Sequence, residues 1–93
     1  MSHTRDTFEQ FVGMEVVLDT AGPVTYLGTL DSIEADGLWL RDADVRDRNE
    51  GHVSKERYIA EAKRDGIICN RKRVFVRRDV IMSCSRLEDV VGE

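Results

Sequence analysis

Hydrophobic residues recur along this chain at two spacings, and the points where one spacing gives way to the other divide it into elements. Phe8, Phe11 and Val12 lie at i, i+3 and i+4, which places three apolar side chains on one face of a helix. Asp6-Thr7-Phe8-Glu9 fits a capping box, with the Asp6 carboxylate accepting from the Glu9 N–H, and Gly13 supplies a stop. The spacing predicts a helix of one or two turns lying as a lid on the rest of the domain. From Met14 the period drops to two: Met14, Val16 and Leu18 alternate with Glu15, Val17 and Asp19, the pattern of a half-buried strand. Thr20-Ala21-Gly22-Pro23 is a turn, and the alternation resumes over residues 24–33 with Val24, Tyr26 and Leu30 on one side. Gly28 interrupts that row, as a glycine does where a strand bends or another backbone comes close. Ala35-Asp36-Gly37 is an Asp-Gly hairpin signal, after which Leu38 and Leu40 share a face and Trp39 takes the other.

Strand rhythm breaks at Arg41. The stretch from there to Gly51 mixes both signs of charge densely, as a solvated strand end and loop do. Asp42, Asp44, Asp47 and Glu50 resemble a calcium loop only superficially, since an EF-hand has glycine at its sixth position and Asp47 stands there. No metal is expected. Residues 54–64 predict a helix capped by Ser54 and stopped by Gly66, with a narrow apolar stripe of Tyr58, Ile59 and Ala62 that lies on its own domain rather than on a partner. Ile67-Ile68-Cys69 is then apolar, Asn70-Arg71-Lys72-Arg73 basic, Val74-Phe75-Val76 apolar again, and residues 80–84 form a last strand. Between those last two apolar runs the chain turns sharply through Arg77-Arg78-Asp79. Five short strands with a bent second strand suggest a small barrel whose closure removes exposed edges.

Length and charge narrow the function. Ninety-three residues make one domain, 1–93, with a modest core that oligomerisation would help to stabilise. A net charge of −4 argues against a general nucleic-acid glue, so any anion site has to be local. The basic run from Asn70 to Arg73 is the strongest such feature, either guarding an exposed strand edge or attracting phosphate. Cys69 and Cys84 lack CxxC spacing and fit small buried hydrophobes in a reducing cytoplasm. With no apolar leader and no run of membrane-spanning length, a cytoplasmic protein is expected. His3 and His52 have no nucleophile or carboxylate at motif spacing and fit solvated side chains. Nothing supports an enzyme or a cofactor: no nucleophile is paired with a base and no phosphate loop is present. Trp39 stands without aromatic neighbours in its motif; packing or a subunit contact is the plainer reading, and a base-stacking platform the other.

Two stretches resemble the Sm and Sm-like proteins. Gly28-Thr29-Leu30-Asp31-Ser32-Ile33-Glu34 with Leu38-Trp39-Leu40-Arg41-Asp42-Ala43 is similar to the first family motif, and Val76-Arg77-Arg78-Asp79-Val80-Ile81 to the second. The resemblance covers residues 8–45 and 74–84 and leaves an insertion at about 46–66 outside it. It implies a mostly β fold: a short N-terminal helix on a five-stranded, strongly bent antiparallel barrel of the SH3 type, with the helical insertion between strands 3 and 4. It also implies rings, usually of six or seven subunits, in which the fourth strand of one subunit pairs with the fifth of the next. Val74, Phe75, Val76, Val80, Ile81 and Met82 would lie at that interface. The family's pore binds single-stranded RNA, which points to Glu34, Asp36, Gly37, Trp39, Arg77 and Arg78. Glu34 stands where the family has Asp, Gly37 roughly where it has a base-reading Asn, and Arg78 where it has Gly. The alternative is an oligomeric adaptor on the same barrel, without nucleic acid, recognising a partner through the insertion.

Overall fold

A computed structural model describes residues 6–51 and 53–92; His3 and His52 lie outside them. A 3-10 turn, Thr7–Phe11, precedes strands β1 (Glu15–Thr20), β2 (Val24–Glu34) and β3 (Gly37–Asp47). Helix α1 (Lys55–Asp65) comes next, then β4 (Arg71–Arg77), a 3-10 turn over Arg78–Val80, β5 (Ile81–Arg86) and a last 3-10 turn over Leu87–Asp89. The five strands form one antiparallel sheet in the order β4-β3-β2-β1-β5. The two end strands do not pair with each other, so the sheet bends without closing its hydrogen-bond ladder, and among the described residues nothing pairs with the outer edges of β4 and β5.

The bend is made jointly by β2 and β3. Pairing jumps from Leu27–Asp44 to Thr29–Arg41, so Asp42 and Ala43 together face Gly28, and Asp42 takes a left-handed conformation at φ 50°. A Cβ on Gly28 would lie 3.0 Å from the Ala43 Cβ and 3.2 Å from the Arg41 carbonyl oxygen, so the close backbone approach expected at Gly28 is present. β3 also runs on to Asp47, well past Arg41. Its continuation is held by Asn70, whose amide accepts from the Val45 N–H at 3.0 Å and donates to the Val45 carbonyl at 2.9 Å, as a neighbouring peptide would.

β1 is buried on both faces, which explains its unbroken Val16-Val17-Leu18. Val16 and Leu18 enter the inner core with Leu30, Leu38, Leu40, Ala43 and Val76. Val17 and Leu27 face the other way, under Tyr58, Ile59 and Ala62 of α1 and Leu87. The helix thus lies on its own sheet, capped by the Ser54 hydroxyl accepting from the Arg57 N–H. Tyr58 donates its hydroxyl to Asp44 while Arg46 lies over its ring, and Lys55 pairs with Asp19.

Three local expectations change. The N-terminal element is a single 3-10 turn: the Asp6 carboxylate accepts from the Phe8 N–H at 3.1 Å, while the Glu9 N–H goes to the Asp6 carbonyl. Phe8 and Phe11 pack on the core, but Val12 is turned away and exposed. At the β2–β3 hairpin, Glu34 pairs with Gly37, so the central residues are Ala35 and Asp36, and neither has the positive φ of an Asp-Gly turn. Cys69 is an exposed free thiol in the connection before β4. Cys84 is half-buried, and burial pushes its thiol up to about 11.

Candidate functional site

The β2–β3 hairpin and the β4–β5 turn meet at one end of the sheet. The Arg78 N–H donates to the Asp36 carbonyl at 2.8 Å, and the Arg78 guanidinium donates to the Glu34 carbonyl at 2.9 Å. Glu34, Asp36, Gly37, Arg77 and Arg78 are therefore brought together, as their motif positions predict. Gly37 is needed here for space. It is buried opposite Arg77, and a Cβ on it would collide with the Val76 carbonyl oxygen and the Phe75 ring. An Asn side chain could not fit without moving β4.

Arg78 is not a free cation. Its guanidinium grips the Asp6 carboxylate at 2.8 and 3.3 Å, lies over the Phe8 ring at 5.1 Å, and sits in a 3-10 turn that needs no glycine. The hydrogen bond from Arg78, and then that from the Phe8 N–H, hold the Asp6 carboxyl below its ordinary range. Arg77 is exposed and pairs with Asp79 at 2.6 Å. Each guanidinium is thus paired with a carboxylate, Arg78 with Asp6 and Arg77 with Asp79, and the hairpin beside them adds the acidic residues Glu34 and Asp36, so acidic residues outnumber the arginines at this end.

Trp39 lies one step along β3, on the outer face. It pairs with Phe75 of β4, their ring centroids 5.1 Å apart, and Arg73 stacks over its ring at 4.3 Å. The residues expected at a subunit interface divide by environment. The Val76 side chain is in the chain's own core, and Val74 and Ile81 pack against that core. Phe75 is half-buried against Trp39. Val80 and Met82 are exposed, 38% and 70%, beside the free edge of β5. Sequence reasoning missed the roles of Asp6 and Asn70: the first is 72 residues from its partner Arg78, and the second carries no signal beyond its type. Among the described residues no group of His, Cys, Asp or Glu is placed to hold a metal ion, and no helix is long and apolar enough to cross a membrane.

No protein-family model and no curated protein sequence matches the chain. A solved structure does: the Sm protein of Pyrococcus abyssii in complex with a uridine heptamer, at a TM-score of 0.59 and 14% identity over 91% of this chain and 99% of that one. At that identity the likeness establishes an Sm-like fold.

Proposed function

We propose that this chain assembles with copies of itself through β4 and β5 into a six- or seven-membered ring, and that the ring binds single-stranded RNA at its pore. The observation that carries the reading is the strand order β4-β3-β2-β1-β5, which among the described residues leaves one unpaired edge at each end of the sheet with exposed Met82 beside one of them. Unpaired edges of a short sheet are satisfied by pairing with another copy, and a head-to-tail contact of that kind closes into a ring. The RNA part is supported by the uridine complex of the structurally similar Sm protein and by exposed Arg77 at the joined turns. In this reading the protein is a binding protein with no catalytic step, and it works in the cytoplasm, where Cys69 and Cys84 stay as free thiols.

A second reading, an oligomeric adaptor without nucleic acid, draws on the acidic surroundings of Arg77 and Arg78. In it the outward face of α1 within the insertion, with Glu56, Arg57 and Arg64 exposed, meets a protein partner. Light scattering tests the assembly shared by both readings. A mass several times 10.6 kDa is expected, falling in Met82→Lys, whereas a wild-type monomer at micromolar concentration contradicts both.

A further inference from the structure

The turn end supplies one exposed arginine, Arg77, already paired with Asp79, yet the chain concentrates arginine elsewhere. In the β3–β4 ladder Trp39 faces Phe75 and Arg41 faces Arg73, with Arg71 and Arg77 at the two ends of β4. Strand alternation puts these side chains on the face opposite Leu38, Leu40 and Val76, which are in the core. Like charges directly opposite one another cost stability. Here Arg41 and Arg73 share the Asp31 carboxylate, each at 3.4 Å, with the exposed Asp42 a further 3.7 Å partner of Arg41, and the Arg71 guanidinium donates only to the Asn70 carbonyl among the described residues. A bound anion would relieve that repulsion. The aromatic pair lies within the same strip, and Arg73 remains 53% exposed while stacked on Trp39, so its side chain stays open to solvent.

We propose that this outer β3–β4 face is a track for single-stranded RNA, distinct from the turn end. An unpaired base stacks on the Arg73–Trp39–Phe75 group while Arg41 and Arg71 meet the flanking phosphates. Stacking on aromatic rings or guanidinium planes, combined with a basic backbone groove, is how proteins hold single strands. The strip spans about 20 Å along β4, room for a few nucleotides. A duplex keeps its bases stacked internally and cannot use it. The proposal rests on the RNA reading above but places the dominant contacts elsewhere.

Trp39 is the sole tryptophan, so its fluorescence reports on the strip directly. The test titrates the oligomer with end-labelled oligo-uridine, following label anisotropy and Trp39 emission together in wild type, Arg73→Gln and Arg71→Gln. Both substitutions are at exposed positions and leave the turn end intact. Expected are quenching of Trp39 along the anisotropy isotherm, binding about tenfold weaker in Arg73→Gln, and a salt slope reduced by about 0.7 in Arg71→Gln. Rising anisotropy with unchanged Trp39 emission and wild-type affinity in both variants overturns the track while leaving the RNA reading standing. No rise in wild type overturns both. A fall in oligomer mass in Arg73→Gln, with RNA affinity unaltered, would identify the face as a subunit contact instead.

Discussion

The Arg78 guanidinium closes on the Asp6 carboxylate across 72 residues of sequence, at 2.8 Å for the shorter contact. This pair fastens the N-terminal 3-10 turn to the hairpin end of the sheet, with Phe8 beneath the guanidinium. Asp6 is held below its ordinary range, so the folded state binds the Asp6 proton less readily than the unfolded chain does. The stabilisation is therefore complete above the unfolded Asp value of about 3.9 and is lost as pH falls through the lower folded value. Protection of the Phe8 to Val12 amides, taken relative to the intrinsic exchange rate at each pH, should fall on acidification below about pH 4, ahead of the sheet, and Arg78→Ala should show that lower protection already at neutral pH. Equal protection in Arg78→Ala and wild type would mean that the pair does not hold the turn.

Gly37 and Gly28 make contrasting demands. A Cβ on Gly37 meets a backbone carbonyl and an aromatic ring, whereas one on Gly28 meets the Ala43 side chain and backbone at the edge of tolerable contact. Gly37→Ala should cost about 2–3 kcal/mol, with a fall in melting temperature on the order of 10 °C, and Gly28→Ala distinctly less. Thermal unfolding of the two variants checks the order, and a smaller loss at Gly37 would contradict the account of the hairpin.

Tyr58 links α1 to β3 through Asp44. Burial first, and then the hydrogen bond to Asp44, raise its phenol above the ordinary tyrosine range. Because the folded state keeps a proton that the unfolded chain releases near pH 10, stability falls as pH rises above about 10. Tyr58→Phe should lose about 1–2 kcal/mol at neutral pH and show a shallower alkaline decline. Denaturant unfolding at about pH 8 and about pH 10.5, on either side of the unfolded tyrosine value, measures both; an unchanged alkaline slope would remove Tyr58 as its source.

Much of the fold is legible in local pattern because local physics determines it. The period-two runs, Gly28 at the bend, and Ser54 and Gly66 bounding α1 all arise from side-chain alternation, backbone freedom and capping. What escapes local pattern depends on distant partners. Val17 reads as the outward side of a half-buried strand until α1 covers it. β3 continues through a dense charge run because Asn70, 25 residues on, supplies the missing peptide partner to Val45. Arg78 reads as a second cation for RNA until Asp6 engages it, and Gly37 as a lost Asn until β4 is seen to occupy its side-chain space. The motif positions thus meet at the turn end, a grouping that only the family resemblance implied, while the charge balance there emerges only when the chain folds.

The central claim, a self-assembled Sm-like-fold protein that holds single-stranded RNA, is tested most directly by anisotropy of labelled oligo-uridine against the purified oligomer at two salt concentrations. The account predicts saturable binding that weakens as salt rises, because arginine–phosphate contacts release counterions. No anisotropy change at either salt, with the oligomer mass intact, would contradict it and leave the adaptor reading in its place.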